Sequence, residues 1–493
     1  MLFNSYIFVL IFLPLALLLY FMLNHFDKNQ LAKLSLIVMS LWFYAYFNIK
    51  YLPIIVISIV INYSLQSVFI HKPKESYGLL RKAILIVGIV LNIGILFYFK
   101  YFAFFVENIN AVFKSDFVVE RLILPLGISF FTFQQVTYLI DSYRGEVPRY
   151  SIVDYSLFVL FFPQLIAGPI VFHGEMIPQF QDAKNHRFNF DNFYKGIVAF
   201  SIGLAKKVLI ADTFGNAVNA AFKVTDSLDT TNTLIIILAY TLQIYFDFSG
   251  YCDMAIGIGS MFNIKIPINF NSPYKALSIK DFWDRWHITL TRFFRTYVYI
   301  PIGGNRKGTA RTCLNTLFVF FLSGLWHGAN WTFILWGVFH GLGVVVNRLG
   351  KNIGGKIPAF FKWMVTFICI NLLFILFRSD SVSQCMGLYQ KLLTCDFGPI
   401  QQGILNAFKL PEMMFVLEKV VARVSLDINV VPYVILILFF VFSMWVVLFT
   451  KNTSELIGER FKPTVWMSVK TAVLLAWSLV SFTGISTFLY FNF

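Results

Sequence analysis

Long, uninterrupted apolar runs constrain this chain more than any other feature. The first is MLFNSYIFVLIFLPLALLLYFML at the start of the sequence. Runs of this length can cross the roughly 30 Å of bilayer hydrocarbon as helices. The residues are 58% hydrophobic and only 13% charged, against about 25% charged in an ordinary soluble domain. These features exclude a water-soluble fold, and the continuous runs exclude the alternating strands of a membrane β-barrel.

The sequence predicts an all-α, polytopic integral membrane protein with about eleven or twelve transmembrane helices. The first run is too long for a signal peptide and has no basic leader or small-residue cleavage site, so we expect it to be retained as a span. We predict one membrane domain over 1–493, with N-terminal helices in 1–120, a core in 121–350 and C-terminal helices in 351–493. The spans are predicted at 1–23, 34–48, 52–70, 84–105, 122–140, 152–172, 196–213, 232–261, 314–347, 359–377, 431–449 and 468–489.

Charge in the loops predicts the orientation of the helices. Lys28 and Lys33 follow the first span and nothing basic precedes it, so this loop is expected in the cytoplasm. The segment 378–430 holds five basic and five acidic residues, a balance typical of an external loop. The net charge of +15 is therefore explained by topology, and no nucleic-acid partner is predicted.

The segment 265–311, here called the basic segment, breaks this pattern. It carries nine basic and two acidic residues, a formal charge of +7. Aromatic residues lie between the charges, so the segment fits interfacial or re-entrant helices better than a solvated loop. Such a surface could bind anionic membrane lipid or a soluble polyanion such as a nucleotide phosphate. Charge alone favours the lipid.

Among seven histidines, His327 lies in the apolar stretch FLSGLWHGANW. Gly324 and Gly328 are spaced for close approach of another helix. A neutral imidazole there could act as a general base, or it could be a buried structural group. His340 follows thirteen residues later, so on one continuous helix the two rings are expected in different surroundings, with His340 a packing residue.

His287 lies in the run DFWDRWHITLTR, where Asp284 at i−3 could orient its ring on a helix. The alternative is an interfacial anchor. Asp247 and Asp253 are carboxylates in or near a span, which could form a transporter's proton or cation path or hold the following loop by pairing with its arginines. No lipase-type, P-loop, metalloprotease or dinucleotide motif is present in the sequence.

Six long stretches together make the chain resemble the membrane-bound O-acyltransferases, and within them the bacterial alginate and peptidoglycan O-acetyltransferases. They are the opening MLFNSYIF, LPLGISFFTFQ at 124–134, FFPQLIAGPI at 161–170, YFDFSGYCDMAIGIG at 245–259, DFWDRWHITLTRFFRTYVYIPIGGNRKG at 281–308 and SGLWHGANWTFILWGVFHG at 323–341. The resemblance covers nearly the whole chain. One departure is Thr291, where serine is expected and the hydroxyl is kept.

The resemblance implies a central tunnel that joins the two membrane faces, acetyl-CoA as donor and a hydroxyl outside as final acceptor. It implies that His327 is the catalytic residue and that His287 lies near the thioester. On this basis His287, oriented by Asp284, could polarise the thioester or hold the thiol. No metal is expected. The expected substrate-binding residues are Asn269, Asn271, Trp283, Asp284, Arg285, Trp286, Arg292, Arg295, Arg306 and Trp326.

The expected activity is that of an O-acetyltransferase of the bacterial inner membrane. It would move acetyl from cytoplasmic acetyl-CoA outward to a cell-envelope polysaccharide, either peptidoglycan or an alginate-type polymer. Since a polysaccharide is too wide for such a tunnel, the resemblance suggests a periplasmic SGNH-type acetyltransferase as partner. We expect it to dock on 378–430, unless that segment is only an external lid. The alternatives are a transporter or lipid-linked sugar flippase that uses Asp247 and Asp253, or a membrane scaffold.

Overall fold

The computed structural model describes residues 1–71, 74–120, 122–350, 357–410, 414–415, 419, 430–459, 461–482 and 488–489. Regular structure in this part of the chain is helical, with one isolated β-bridge between Phe270 and Trp286. The predicted all-α class is confirmed.

Seven helices within the described residues are long and apolar enough to cross a membrane, which confirms a polytopic membrane protein. Predicted spans 34–48 and 122–140 lie instead on helices of 17 residues, and 152–172 falls on two shorter helices. Predicted span 196–213 falls on the successive segments Phe190–Ala205, Lys206–Ala211 and Asp212–Phe222, and the described helix in 468–489, Val465–Val480, has 16 residues. Seven of the twelve predicted spans therefore remain. The seven are Phe8–His25, Ile49–His71, Tyr77–Phe113, Thr230–Met261, Trp331–Leu349, Ala359–Arg378 and Val431–Phe449.

The predicted span 314–347 is not one helix but a hairpin of two, Gly308–His327 and Trp331–Leu349. The first ends because Gly328 takes an extended conformation, with φ −165° and ψ 152°. The second begins at Asn330, whose side chain accepts a hydrogen bond from the backbone N–H of Thr332 at 3.0 Å. The sequence GAN therefore stops one helix and caps the next.

Two glycines let the helices of this hairpin touch through their backbones. A Cβ atom on Gly337 would lie 3.0 Å from the Cα atom of Gly324 and would clash with the carbonyl oxygen of Phe320. A Cβ atom on Gly324 would clash in turn with the carbonyl oxygen of Phe333. The expectation that Gly324 serves close helix approach is confirmed, while Gly328 serves the turn.

The chain forms two compact units, the first of which comprises 1–203, 251–268 and 462–493. Inside it, polar side chains tie apolar helices together. The amide of Asn62 donates to Oε1 of Gln135, and the amide of Asn92 donates to Oδ1 of Asn62 at 2.7 Å. Its helices and helical turns are Phe8–Phe12, Leu13–His25, Asn29–Ala45, Ile49–Tyr51, Leu52–His71, Lys74–Leu96, Phe97–Tyr101, Phe102–Phe113, Ile128–Arg144, Ile152–Leu160, Phe162–Leu165, His173–Gln181, Ala183–His186 and Val465–Val480.

The second unit comprises 204–250 and 269–461, and it contains both predicted catalytic histidines. Helices Phe190–Ala205 and Thr230–Met261 each contain a boundary between the units in the sequence. The other helices and turns of the second unit are Lys206–Ala211, Asp212–Phe222, Thr225–Ser227, Pro273–Lys275, Ile279–Arg285, Ile288–Phe294, Arg295–Tyr299, Gly308–His327, Trp331–Leu349, Ala359–Arg378, Val382–Thr394, Gln402–Ala407, Val431–Phe449 and Thr453–Leu456.

Two sequence predictions fall partly beyond the described residues. In 378–430, the helices Val382–Thr394 and Gln402–Ala407 are described, whereas 411–413, 416–418 and 420–429 lie outside. In the predicted span 468–489, residues 483–487 lie outside. The division of the chain at 120 and 350 stays a prediction.

Candidate active site

The backbone at His287 is held in an uncommon conformation. Helix Ile279–Arg285 ends just before it, and His287 itself takes a left-handed conformation with φ 46°. Ile288 donates its N–H to the carbonyl oxygen of Asn269 at 3.0 Å, and Asn271 donates its N–H to that of Arg285 at 2.9 Å. A positive φ angle at a residue other than glycine raises the free energy of the backbone, and such strain is concentrated at functional sites.

The amide oxygen of Asn269 fixes the ring of His287. Thr289 donates to this oxygen twice, from its backbone N–H at 3.2 Å and from its hydroxyl at 3.0 Å. Because a backbone N–H can only donate, the oxygen of the amide must be the atom on this side. Nδ1 of His287, 3.2 Å from the same oxygen, is therefore the protonated nitrogen. Nε2 is left as the proton-accepting atom of the neutral ring.

Burial keeps this ring neutral. His287 is fully buried, and the loss of water around it lowers its pKa to about 3. At neutral pH the ring therefore has one donor, directed to Asn269, and one acceptor.

Asp284 does not orient His287, contrary to the sequence prediction. Its carboxylate binds the ammonium of Lys280 at 2.6 Å, and both side chains are more than half exposed. The helix that would place Asp284 and His287 on one face ends at Arg285, so the i−3 relation is lost.

His327 lies at the last residue of its helix and is 2% exposed. Its ring centroid is 4.8 Å from that of Trp326, 5.0 Å from Trp336 and 5.2 Å from Phe377. The centroid of His287 is 6.3 Å away. The two imidazoles assigned to catalysis from the sequence thus lie together within an aromatic cage.

His340 shares a neighbour with His327, although the sequence predicted different surroundings. The Trp336 ring lies 4.8 Å from His340 and 5.0 Å from His327, because the chain turns back at Gly328. The indole N–H of Trp283 donates to Nδ1 of His340 at 3.1 Å, so the proton of this neutral ring is on Nε2. His340 and His287 therefore have opposite tautomers.

The other predicted substrate-binding residues separate into buried and exposed groups. Trp326 contacts both predicted catalytic histidines, while Trp286 packs against Phe270 and Phe282. Two more lie at the surface: Asn271 accepts from Asn452, and Arg285 pairs with Asp281 at 2.7 Å.

Much of the positive charge of the basic segment faces outward. Arg292 is half-buried. Four other side chains are exposed and have no acidic partner within the described part of the chain: Arg295, Arg306, Lys307 and Arg311. They are available to bind an anion.

A pocket of about 190 Å³, here called the side pocket, lies beside the Trp283 indole. Trp283 therefore contacts both the side pocket and His340. The pocket is lined by Trp283, Leu290, Thr291, Phe294, Arg295, Tyr299, Thr316, Val319, Phe320 and Ser323.

Asp247 is part of a buried ionic cluster. The ammonium of Lys207, 2% exposed, lies 2.7 Å from the Asp247 carboxylate and 2.8 Å from that of Asp212. The structural alternative for Asp247 is thereby supported, although its partner precedes it in the chain. In the described residues no three His, Cys, Asp or Glu side chains converge as metal ligands.

Thr289, Trp336 and Phe377 were not identified from the sequence. Thr289 could have been found, because it is a hydroxyl residue two positions after His287 and within hydrogen-bond reach of the same acceptor. Trp336 is brought to His327 only by the hairpin, and Phe377 only by the packing of helix Ala359–Arg378. No local pattern indicates these two contacts.

Comparison with known proteins gives consistent matches. The sequence model of the membrane-bound O-acyltransferase family matches residues 8–379. The chain is 40% identical to the peptidoglycan O-acetyltransferase of Helicobacter pylori, over all of this chain and 98% of the relative. It is 38% identical to the probable alginate O-acetylase AlgI of Pseudomonas aeruginosa, over 83% of this chain and 78% of that one. It is also similar to the teichoic acid D-alanyltransferase of Bacillus subtilis, with 30% identity over 55% of this chain and 69% of the relative.

Proposed function

The chain belongs to the membrane-bound O-acyltransferase family, and we propose that it transfers acetyl groups from acetyl-CoA to a hydroxyl acceptor for modification of a cell-envelope polysaccharide. The observation that carries the proposal is the pair of buried imidazoles, His287 and His327, with centroids 6.3 Å apart. The predicted acceptors, peptidoglycan and an alginate-type polymer, are also named in the two relatives that match most of this chain.

His327 acts as the general base in this proposal. It removes the proton from the acceptor hydroxyl while the oxygen attacks the thioester carbonyl carbon. The tetrahedral intermediate then collapses, the carbon–sulfur bond breaks and the imidazolium returns the proton to the departing thiolate. The proton and the acetyl group are both conserved, so no redox partner is needed.

His287 has a narrower role than the sequence suggested. Because its proton lies on Nδ1, directed to Asn269, its Nε2 atom can accept a hydrogen bond but cannot donate one. This tautomer favours holding the thiol or the attacking hydroxyl over polarising the thioester carbonyl. We therefore assign His287 to positioning the proton-bearing reactant.

The donor is proposed to be acetyl-CoA because exposed cationic side chains lie at the start of the catalytic hairpin. Arg306, Lys307 and Arg311 are exposed and have no acidic partner in the described part of the chain. Three such charges attract a phosphate-bearing substrate over about 10 Å at moderate ionic strength. Coenzyme A stays in the cytoplasm while the acetyl group moves on.

We place the protein in the bacterial inner membrane, with a periplasmic SGNH-type acetyltransferase as the next acceptor. The support is the balanced charge of 378–430, which fits an external surface, and the width of a polysaccharide compared with any passage through a helix bundle. Val382–Thr394 and Gln402–Ala407 are described helices of this proposed docking surface.

The test is release of free CoA by the purified protein in lipid nanodiscs, with acetyl-CoA and a serine-hydrolase-like acceptor domain. We expect turnover in the native protein and a loss of at least about 10²-fold in His327→Ala, the scale of a missing acid–base group. The exposed residue His25 supplies the control, since His25→Ala should keep full turnover.

Full activity in His327→Ala would refute the assignment of the base. Solute transport without release of CoA would instead support the transporter alternative. The Asp247 side chain that this alternative requires is bound to Lys207 at 2.7 Å, which weighs against it.

A further inference from the structure

The side pocket is apart from the two catalytic imidazoles, and the acetyl-transfer proposal assigns it no ligand. Its walls are mainly apolar, from Trp283, Leu290, Phe294, Val319 and Phe320. The protein spans a membrane, so hydrocarbon chains surround it at high local concentration. An apolar pocket in such a protein is expected to take up an apolar chain.

Two of the four hydroxyl-bearing residues in the walls already donate to backbone carbonyl groups. The Thr316 hydroxyl donates to the carbonyl oxygen of Thr312 at 2.9 Å, and the Thr291 hydroxyl donates to that of Trp283 at 3.4 Å. Both donors are therefore used within the protein. A chain rich in amides would find few hydrogen-bond donors here, and burying an unpaired amide is costly.

One edge of the side pocket is cationic. Arg295 lines the pocket, is exposed and has no acidic partner in the described residues. Tyr299 lies four residues later in the same helical segment, which places the two side chains on one face. An arginine beside a tyrosine is the combination that binds phosphate at a membrane–water interface, since the guanidinium carries the charge and the phenol is amphipathic.

We propose that the side pocket binds an anionic phospholipid, with one acyl chain between Phe294 and Val319 and its phosphate on Arg295. The bound chain packs against Trp283, whose indole N–H donates to His340. The lipid thus stabilises the wall that supports the catalytic hairpin. This inference does not depend on acetyl transfer, because it concerns binding alone.

The experiment is photo-crosslinking in nanodiscs with phosphatidylglycerol that carries a diazirine on one acyl chain, followed by peptide mapping. We expect crosslinks in 290–299 and 316–323. Val319→Trp fills the pocket and should abolish them, whereas Phe318→Trp, at an exposed position beside it, should leave them unchanged.

Arg295→Gln tests the charge. It should reduce the preference for phosphatidylglycerol over phosphatidylcholine about fivefold, the contribution of one basic side chain near an anionic lipid. The control Arg306→Gln changes the same charge outside the pocket and should leave the preference intact. This pair keeps the proposal testable if Val319→Trp does not fold.

Three results would overturn the proposal: crosslinks spread over the apolar surface with no enrichment at the pocket, equal labelling by both lipids, or loss of labelling when CoA is added. The last would assign the pocket to the pantetheine arm of the donor. A protein inactive in acetyl transfer but labelled as expected would refute the function and keep the lipid site.

Discussion

The ring of His287 lies 6.3 Å from that of His327, and the two residues reach this distance from separate helical segments. Asn269 holds the first ring through Nδ1, and the Gly324–Gly337 contact holds the helix that ends at the second.

Asn269 is expected to set the tautomer of His287. Asn269→Ala removes the acceptor, so the ring can rotate and kcat should fall by up to about 10²-fold with little change in KM for acetyl-CoA. Asn269→Asp keeps an acceptor but adds a negative charge, which raises the pKa of His287 and should move the acid limb of the pH–rate profile to higher pH. Asn271→Asp, exposed and two residues away, is the control; an equal shift in both variants would contradict this role.

The stability of the protein should depend on pH through His287. Its folded pKa of about 3 lies below the ordinary value of 6.5, so between these values the unfolded chain binds a proton that the folded protein does not. The contribution of His287 to the free energy of unfolding is then fully present above pH 6.5. It falls by about 1.4 kcal/mol per pH unit as the pH decreases from 6.5 towards 3. Thermal melts from pH 7.5 to 4.5 should show this slope, and His287→Gln should reduce it. An unchanged slope in His287→Gln would show that other titrating groups cause the pH dependence of stability.

Trp283 is expected to stabilise the protein through its hydrogen bond to His340. Trp283→Phe keeps an aromatic wall but leaves Nδ1 of a fully buried ring without its donor, which should cost about 1–3 kcal/mol. His340→Phe removes the stranded acceptor. The double variant should therefore lose less stability than the sum of the single variants, as measured by thermal melting; strict additivity would rule out the coupling.

Lys207 is the cation between two carboxylates, and its removal should be severe. Lys207→Met leaves Asp247 buried without its counter-charge, an effect of about 3–5 kcal/mol. The neighbouring Lys206→Met should have a much smaller effect. Asp247→Asn in the Lys207→Met background should recover part of the loss, and no recovery would mean that the pair is not the source of the effect. The apparent melting temperature in detergent reports all three.

Neutralising the exposed cations at the start of the hairpin should weaken donor binding. The triple variant Arg306→Gln, Lys307→Gln, Arg311→Gln should raise KM for acetyl-CoA at low salt, and the difference from the native protein should shrink as salt is added. A matched variant changes Lys114, Lys223 and Lys409, three other exposed lysines, to Gln. If both triple variants raise KM equally, the effect is one of net charge rather than of position.

The fold class was predictable, and the two histidines that the structure brings together could be singled out, because both depend on local sequence. Apolar runs give spanning helices directly, and the motifs around His287 and His327 are continuous. The break at Gly328 was also encoded locally, by a glycine followed two residues later by an N-capping asparagine, but hydropathy alone merges the two helices into one span.

The side-chain contacts that were predicted wrongly or missed depend on the three-dimensional path of the backbone. Asp284 and His287 satisfy an i−3 rule only on a continuous helix, and the left-handed residue between two short helices breaks it. Asn269 is brought to His287 by an isolated antiparallel bridge between Phe270 and Trp286. Helical spacing in the sequence does not indicate this pairing. The bond from Trp283 to His340 joins residues 57 positions apart in the chain, and no spacing rule indicates it.

The contact between Gly324 and Gly337 also limits how this region can move. It lies three residues before His327 and one residue after Trp336, with no side chain between the backbones. Any displacement of one helix then carries the other with it, so imidazole and indole travel as a rigid pair. The distance between the His327 and Trp336 rings is therefore hard to change, and we expect any wider access to the proposed base to come from movement of His287 or Phe377.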